Sequence, residues 1–370
     1  MKKNSKQKID IKLNVNPLKI FIGDFNYNSQ YRSLMVDILK PLIPIKNLEK
    51  YELDEIPLQI VEDGKVSDYF LLPYCWNYYI DTNTTVAAEI FIKSAQTIGK
   101  KTLIWVTGDY YIPLPRFDNL IGFYTSPYLS MIKKQKIIPL PVILPDPIKY
   151  LNMDKINTNQ KSNKPVVGFC GQVDKNILTT ILKTLKRIAL KIRSALRLTQ
   201  KIVGPIIPPT KFRKDVLNIL ERCNNIQTKF IRRKRYKGGS RNNKVLEKAL
   251  KIEFYENILN TDYTVCIRGT GNFSARFYET LALGRIPIFI NTDCILPFND
   301  VIDWKKHIIW IEQNEISEIN SKILAFHNGL TQDSFNKSFQ KKNRQLWENY
   351  FSCPGFIRQI IACIHRELNH

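Results

Sequence analysis

The sequence is short of acidic side chains and of paired cysteines, and each shortage narrows the chemistry that the protein can perform. Only 33 Asp and Glu residues oppose 56 Lys and Arg residues, so the net charge is +23 at pH 7. The seven cysteines are scattered and include no CxxC pair. This pattern argues against a zinc site and predicts a reducing compartment. The excess positive charge predicts attraction to polyanions, which include nucleoside diphosphates, nucleic acids and anionic membranes.

Long hydrophobic runs are also missing. No segment reaches the length of a transmembrane helix, and the basic residues 1–23 contain no apolar stretch suited to a signal peptide. We therefore expect a cytoplasmic protein. With 44% hydrophobic and 24% charged residues, a chain of 370 residues has the composition of a globular protein of about two domains.

The first half of the chain alternates strand-like and helix-like segments. Strands are predicted over residues 18–22, 68–73, 102–107, 120–124 and 142–144, and helices over 31–39 and 85–98. This alternation indicates an α/β fold with a mainly parallel sheet. The polar, lysine-rich residues 152–164 predict a linker, and a new strand follows over 166–170. The predicted divisions are an N-terminal domain (1–151), the linker (152–164), a C-terminal domain (165–330) and C-terminal helices that pack back across both domains (331–370).

Two basic segments of the second half have open interpretations. The pattern of residues 176–196 predicts a helix with an apolar stripe in the core and a solvated basic side. The stripe comprises Ile177, Ile181, Leu185, Ile188 and Ile192. The basic side comprises Lys183, Lys186, Arg187 and Lys191. Residues 229–251 hold ten Lys or Arg and a single acid. This run is either a solvated loop that leads into a helix, a phosphate gate, a membrane-surface patch or a nucleic-acid contact.

Residues 268–303 contain the strongest candidate site. A strand over 263–267 precedes turns at Gly269 and Gly271, Ser274 is a suitable N-cap, and a helix over 275–283 leads to a strand over 286–290. Ligands of parallel α/β sheets bind beyond the carboxyl ends of the strands, and the N–H groups of a helix N-terminus favour an anion. The turn therefore predicts a nucleotide-binding corner.

Arg276 and Glu279 share one face of the helix in this motif. They form either a surface ion pair or part of the site. In the second interpretation Arg276 contacts a phosphate oxygen, and Glu279 accepts hydrogen bonds from two ribose hydroxyls. A second candidate edge is the Gly108–Asp109 turn, which follows the strand at 102–107.

With these motifs, the chain resembles the exostosin family of glycosyltransferases. The most specific resemblance lies in residues 254–304, in the order FYENILN, TVCI, RGTGNFSARFYETLALGRIPIFI and LPFNDVIDW. VVGFCGQ at 166–172 resembles the first strand of the donor domain, and SDYFLLPY, GKKTLIWVTGDYY and IIPLPVILPDP resemble strands of the acceptor domain. Unlike the animal exostosins, the sequence has no Asp-x-Asp motif, and we expect no membrane anchor, so it is similar to the shorter soluble forms expected in bacteria or large viruses.

The resemblance implies a GT-B architecture, in which two Rossmann-like domains face each other across a cleft. It also implies an inverting, metal-independent transfer of a sugar from a nucleotide-sugar, most simply a UDP-sugar, to a saccharide or glycoconjugate acceptor, as in polysaccharide biosynthesis. No cofactor besides this co-substrate is expected. The residues expected to bind the donor are Arg268, Gly269, Gly271, Asn272, Ser274, Arg276 and Glu279.

The catalytic base is expected to be a carboxylate, because all four histidines follow the glycine turn and none lies in the predicted acceptor domain. We favour Asp109, with Asp24 and Glu89 as weaker candidates. Peripheral contact with an anionic membrane is a further expectation that rests on charge alone. The alternatives are a basic nucleic-acid-binding protein and an inactive homologue that binds saccharides; no known nucleic-acid motif supports the first.

Overall fold

The structure is a computed structural model that describes residues 16–132, 136–173, 176–239 and 243–368. Two parallel sheets, one of six strands and one of five, form the framework of this part of the chain. Their strands are short and mostly buried on both faces, as is usual where helices cover a parallel sheet. The prediction of an α/β fold with two Rossmann-like domains is confirmed. The first residues, on which the expectation about a signal peptide rests, lie largely outside the described ranges.

The N-terminal sheet has the strand order β2-β1-β3-β4-β5-β6. Its strands are β1 (Leu18–Phe21), β2 (Leu58–Ile60), β3 (Tyr69–Leu71), β4 (Thr102–Val106), β5 (Leu120–Tyr124) and β6 (Ile137–Pro139). Its helices are α1 (Trp76–Asp81), α2 (Thr85–Thr97) and α3 (Pro147–Tyr150). All neighbouring strands are parallel, so the carboxyl ends of β1, β3, β4 and β5 share one edge.

The C-terminal sheet has the order β11-β10-β9-β7-β8 and is also parallel. Its strands are β7 (Val166–Gln172), β8 (Gln227–Arg233), β9 (Tyr263–Cys266), β10 (Ile286–Asn291) and β11 (Ile309–Glu312). The helices of this half are α4 (Ile177–Ala195), α5 (Pro209–Glu221), α6 (Lys244–Leu259), α7 (Ala275–Ala282), α8 (Ile319–Asn328), α9 (Lys342–Tyr350) and α10 (Cys353–Leu368), with a π-helix at Ser334–Lys341.

Several segments differ from the prediction, and β2 was not predicted at all. The last N-terminal strand is β6 and not residues 142–144, which lie between Pro141 and Pro145 and form no ladder. The predicted helix at 31–39 is a short 3₁₀ turn at Ser29–Leu34, because the chain leaves it at Met35 to form a bridge with Tyr74. The basic run begins in edge strand β8. This strand was not predicted, because its many charged residues hide the alternating pattern of a strand.

The C-terminal helices cross to the N-terminal sheet. The side chains of α10 that face inward, including Ile360 and Ile364, join the same core cluster as Leu18 and Leu71 of the N-terminal strands. The Tyr69 hydroxyl donates to the Ile364 carbonyl at 3.3 Å. Arg344 of α9 makes two hydrogen bonds to the Asp146 carboxylate, at 2.8 and 2.7 Å. The two halves of the chain therefore share one apolar core through this segment.

The segment predicted to be a linker contains no helix or strand, and it is held along its length by the C-terminal half. Arg285, which is 1% exposed, donates to the Asn157 carbonyl, to Asn159 Oδ1 and to the Leu283 carbonyl at the end of α7. Gln340 Nε2 donates to the Asn159 carbonyl at 2.8 Å. Burial lowers the pKa of Arg285 to about 10, which still leaves the guanidinium charged at pH 7, and these oxygen atoms accept its hydrogen bonds.

Helix α4 is inverted with respect to the prediction. Two of its basic side chains face the protein: Arg187 is 8% exposed, and Lys183 Nζ donates to Thr210 Oγ1 at 3.0 Å. Its apolar stripe faces outward, with Ile177 74% and Leu185 57% exposed. The predicted core stripe was therefore wrong. The helical period identifies an apolar and a polar face correctly, but it does not determine which of them meets the rest of the protein.

Candidate functional site

The loop between β9 and α7 closes on itself and presents the N-terminus of α7 at the carboxyl edge of the sheet. The Gly269 N–H donates to the Phe273 carbonyl at 2.9 Å, which forms a tight turn. Ser274 occupies the N-cap position, as predicted, but its side chain makes no capping hydrogen bond. The first N–H groups of α7 are therefore available to an anion. A Cβ at Gly271 would come within 2.7 Å of Ser126 Oγ in the N-terminal half, so this glycine permits close approach of the two domains.

Arg268 lies in this loop and is 4% exposed. Its Nη1 donates to the Tyr128 hydroxyl at 2.8 Å, which fixes the guanidinium against the N-terminal half. Its Nη2 is buried and has no hydrogen-bond partner in the described part of the chain. A buried N–H group without a partner is unfavourable unless a ligand supplies an acceptor. This geometry suits the predicted role of Arg268 in binding an anion.

A second arginine, Arg187, approaches the same place from the inner face of α4. Its Nε donates to the Pro205 carbonyl at 2.8 Å, and its buried Nη2 likewise has no partner among the described residues. Burial lowers the pKa of Arg187, and the positive charge of Arg268 lowers it further. At the adjoining Gly204 a Cβ would come within 3.0 Å of Arg268 Nη1, so the segment 204–205 passes directly beside both guanidinium groups.

The two guanidinium groups have the charge and the free donors that an anion-binding site requires. Within the ranges that the structure describes, neither Arg187 nor Arg268 forms an ion pair with a carboxylate. Arg213 of α5 supports the loop by donating from Nη2 to the Arg268 carbonyl at 2.8 Å. Two adjacent buried cations repel each other, and a bound phosphate or diphosphate would offset that repulsion and satisfy both Nη2 groups.

The Gly108–Asp109 turn lies next to this arginine pair. Ser126 Oγ donates to the Gly108 carbonyl at 2.8 Å and also lies against Gly271, so the turn and the glycine loop meet through one side chain. Tyr110, the next residue, is close enough to Arg187 to affect its pKa. Asp109 itself is exposed, and no described residue bonds to its carboxylate. Asp24 and Glu89 are also exposed, at the end of β1 and on the outer part of α2.

Arg276 is directed into the C-terminal sheet. Its Nη2 donates to the Cys170 carbonyl at 2.7 Å, and its guanidinium stacks on the Phe169 ring at 4.2 Å. Gly171 makes room for it, since a Cβ there would lie 2.5 Å from Nη2. Burial lowers the pKa of Arg276. The structure therefore places Arg276 apart from the contacts of Arg187 and Arg268 and ties it to β7.

Glu279 is 5% exposed and pairs with Lys251 of α6, whose Nζ lies 2.5 Å from Oε1. The alternative of an exposed ion pair between Arg276 and Glu279 is therefore wrong, because both side chains turn inward and have other partners. Lys251 also lies 4.5 Å from the centre of the Tyr255 ring. Lys251 engages one carboxylate oxygen of Glu279, and no hydrogen bond to the other oxygen is formed within the described residues.

Asn272 joins the two halves of the molecule. Its Nδ2 donates to the carbonyls of Pro127 and Asp293, each at 3.0 Å, and its Oδ1 accepts from Thr292 at 2.9 Å. The Asp293 carboxylate in turn accepts a hydrogen bond from Ser130. A cavity of only about 20 Å³ remains between Thr125 and Ser274 at this contact. The two domains are therefore in contact here, and Asn272 is fully engaged in that contact.

The basic run at 229–251 is partly neutralised by ion pairs with acidic residues of the same half. Arg232 pairs with Glu221 at 2.7 Å, Arg233 with Glu253 at 2.6 Å, and Lys251 with Glu279. Residues 240–242 of this run lie outside the described ranges. Among described residues, no three His, Cys, Asp or Glu side chains cluster in a way that could hold a metal ion. None of the described helices has the length and apolarity needed to cross a bilayer.

Sequence reasoning did not identify Arg187, Ser126 or Tyr128 as parts of the site. Arg187 was assigned to a solvated helix face, and Ser126 and Tyr128 lie in an ordinary loop after β5. No local pattern marks these residues, because their role arises from the packing of the N-terminal loops and α4 against the glycine loop. A search for buried cations without acidic partners would find Arg187, but it requires a structure.

Two parallel Rossmann-like domains that meet at the glycine loop before α7 have the GT-B architecture. Residues 206–325 match the profile of the Exostosin GT47 domain. The resemblance to the exostosin family that the motifs predicted is thus confirmed over this part of the chain.

The similar proteins match only part of the chain. Exostosin-1 of Drosophila melanogaster is 30% identical over 108 residues, which are 29% of this chain and 13% of the fly protein. The probable glucuronosyltransferase GUT1 of rice (Oryza sativa subsp. japonica) is 26% identical over 68 residues, which are 18% of this chain and 16% of the rice protein. The matched region thus spans about one seventh of the length of these relatives.

Solved structures of two bacterial proteins show a distant likeness. A mutant of S. aureus TarM in complex with fondaparinux, alpha-GlcNAc-glycerol and UDP has a TM-score of 0.35 at 9% identity, and the alignment covers 81% of this chain and 55% of TarM. The pneumococcal O-GlcNAc transferase GtfA, in complex with UDP and GlcNAc, has a TM-score of 0.30 at 11% identity, with 82% and 57% covered. At these scores the likeness adds nothing to the fold assignment, which rests on the sheet topology.

Proposed function

We propose that this protein is an inverting glycosyltransferase that moves a sugar from a nucleoside diphosphate sugar, most simply a UDP-sugar, to a saccharide or glycoconjugate acceptor. The observation that carries the proposal is the pair of buried guanidinium groups of Arg187 and Arg268, each with an Nη2 that has no partner among the described residues, next to the segment 204–205. In an exostosin-type domain this is the position at which a leaving diphosphate requires positive charge.

In this proposal the diphosphate lies between the two arginines and the first N–H groups of α7. The glycine loop lets the backbone approach it, and Ser274 supplies a hydroxyl. Glu279 contributes its second carboxylate oxygen to the ribose. Arg276 acts indirectly, by fixing the loop through its contact with β7. This role replaces the direct contact with phosphate that the motif predicted. Asp109 accepts the proton of the acceptor hydroxyl at the facing edge.

Metal independence is part of the proposal. Guanidinium groups can stabilise the charge that develops on the leaving diphosphate, which is a task that a divalent cation performs in other enzymes. A cytoplasmic location and an origin among the shorter soluble exostosins also remain predictions.

The test is the release of nucleoside diphosphate from a panel of UDP-sugars, with and without EDTA. We expect turnover of one donor that EDTA does not abolish. Arg268→Ala should reduce kcat/KM by about ten- to a hundredfold, since one charge-assisted hydrogen bond contributes roughly 1.5–3 kcal/mol. Arg222→Lys, at an exposed position after α5, is the control and should retain full activity.

Two further variants separate the roles of Arg276 and Asp109. Arg276→Ala should lower the melting temperature as well as the activity, whereas Asp109→Asn should lower kcat and leave the affinity for UDP unchanged. Full transferase activity of Arg268→Ala would show that the diphosphate binds elsewhere. Activity that appears only with added divalent cation would refute the metal-independent part of the proposal.

A further inference from the structure

The outward face of α4 is a continuous apolar stripe. Seven large apolar side chains of this helix are between 37% and 74% exposed: Ile177, Leu178, Ile181, Leu182, Leu185, Ile188 and Ile192. Leu196, Leu198, Ile206 and Ile207, which follow the helix in the chain, are also 42–64% exposed. A contiguous apolar surface of this length is uncommon on a monomeric protein and marks a contact with another phase or partner.

Basic side chains border the stripe. At 100° per residue its apolar side chains occupy an arc of about 140°, with Lys186 and Arg193 beside one edge and Lys191 beside the other. All three are exposed. The sequence contains no Asp or Glu between residues 176 and 214, so no acid on this segment offsets the charge. An apolar face bordered by cations is complementary to an anionic lipid surface.

We propose that this face of α4, with its basic borders, is a membrane-docking face that lies in the interface of a bilayer containing anionic lipids. The helix lies along the surface rather than across it, because Lys183, Lys186, Arg187, Lys191 and Arg193 fall within its length. On its inner side, Lys183 donates to Thr210 and Arg187 to the Pro205 carbonyl, and the apolar side chains of the stripe already face outward in the structure.

A second copy of the chain is a poorer occupant than a membrane. In a symmetric dimer through this face, the basic side chains of one copy would lie next to those of the other and repel them. Residues 176–214 contain no acid to neutralise this charge. An anionic bilayer accepts the apolar side chains and attracts the cations at once. This inference concerns binding alone, so it stands independently of the proposed transferase activity.

Vesicle co-sedimentation tests the docking face. The probes are vesicles of phosphatidylcholine alone and of phosphatidylcholine with about one third phosphatidylglycerol. We expect the full-length protein to bind the anionic vesicles at least about tenfold more tightly than the neutral ones, and high salt to weaken this binding. Leu182→Gln/Leu185→Gln should lose about tenfold or more in partitioning, without a change in net charge.

The matched control is Val86→Gln/Ile90→Gln on α2, where the two side chains are 68% and 65% exposed but lie outside the docking face. This control should bind as the wild type does, and Lys186→Gln/Lys191→Gln should bind anionic vesicles more weakly. All six substituted positions are exposed, and unchanged melting temperatures and circular dichroism spectra would show that the variants fold.

Two outcomes would overturn the proposal. If Leu182→Gln/Leu185→Gln bound anionic vesicles as tightly as the wild type, the binding would arise from the overall positive charge of the protein and not from the apolar stripe. If light scattering showed a wild-type dimer that this variant dissociates, a second copy would be the occupant.

Discussion

At the scale of single residues, the protein contains two kinds of buried arginine. Arg285 is surrounded by acceptors that belong to the chain itself, among them the carbonyls of Leu259 and Asn157. Arg187 and Arg268 each retain one Nη2 without a partner in the described structure, and the charge of Arg268 disfavours that of Arg187. Burial is the same in both cases, but only the second kind has hydrogen-bonding capacity left for a ligand. The two kinds should therefore respond differently to substitution.

Arg187→Met should leave the ligand-free protein as stable as the wild type or raise its melting temperature, because it removes a buried charge that Arg268 repels. The same variant should weaken UDP binding by about tenfold or more. Thermal denaturation without ligand and isothermal titration with UDP measure the two effects.

Arg285→Met is the opposite control for this experiment. It leaves several buried carbonyls without a donor and should lower the melting temperature markedly, while the folded fraction binds UDP normally. A large loss of stability in Arg187→Met, equal to that of Arg285→Met, would contradict the assignment of Arg187 to a ligand site.

At the scale of elements, helix α8 holds the segment between the domains through one histidine. His327 Nε2 donates to the Ser162 carbonyl at 2.8 Å, and Nδ1 accepts from the Tyr263 hydroxyl at 2.8 Å. Burial lowers the pKa of His327 below its ordinary value of 6.5. Burial likewise lowers the pKa values of His307 and His365. The folded state thus binds protons less readily than the unfolded chain at these three positions.

We predict that the free energy of unfolding falls as the pH decreases below about 6.5. As the pH falls, the histidines of the unfolded chain become protonated while those of the folded protein stay neutral. Their contribution to the free energy of unfolding is therefore complete above the pKa of the unfolded chain. It is lost as the pH falls to the lower pKa of the folded state. Denaturant titrations between about pH 7.5 and pH 5 test this dependence.

His327→Gln should show a weaker decrease over the same range, because it removes one of the three titrating groups. An identical slope in this variant and the wild type would mean that the decrease arises from the general positive charge of the protein and not from this histidine.

The elements also show what a single sequence can and cannot predict. Strands β4, β5, β7, β9 and β10 were predicted within one or two residues, because each is a β-branched or aromatic run that the sheet buries on both faces. Edge strands β2, β6 and β8 were missed, since they are short or charged and gain most of their structure from one neighbour. The ends of helix α4 were predicted to within one residue, but its apolar face was wrongly assigned to the core. The orientation of a helix depends on contacts that are distant in sequence.

The same distinction applies to the site. The glycine loop, Ser274 and α7 follow from a local pattern and were predicted. The partner of Arg268 was not, because Tyr128 is 140 residues away in the sequence and Arg187 reaches the loop only through the packing of α4. The inward turn of Arg276 likewise depends on Gly171 in another strand. Local sequence therefore located the anion site, and tertiary contacts determined which cations serve it.

At the scale of the whole molecule, the N-terminal domain is completed by the end of the chain. Helix α10 contributes Phe356, Ile357, Ile360 and Ile364 to the core that contains β1 and β3, and all four are at most 1% exposed. The N-terminal sheet thus depends on residues that follow the C-terminal domain. The two halves of the fold are expected to unfold together rather than one after the other.

Ile364→Ala should destabilise the protein by about 2–5 kcal/mol, as is usual for truncation of a buried aliphatic side chain. Leu368→Ala, in the same helix but 43% exposed, is the control and should change the stability by less than about 0.5 kcal/mol. Denaturant unfolding that is followed by fluorescence and by circular dichroism measures both variants. Separate transitions for the two domains in the wild type would contradict the shared core.

Helix α4 carries the outward apolar stripe on one face and Arg187 on the other. A small rotation or translation of this helix on a lipid surface would move the guanidinium relative to Arg268. By thermodynamic reciprocity, any factor by which lipid binding changes the affinity for the nucleotide must equal the factor by which the nucleotide changes the affinity for lipid. A single helix could in this way restrict donor turnover to molecules that have reached their surface.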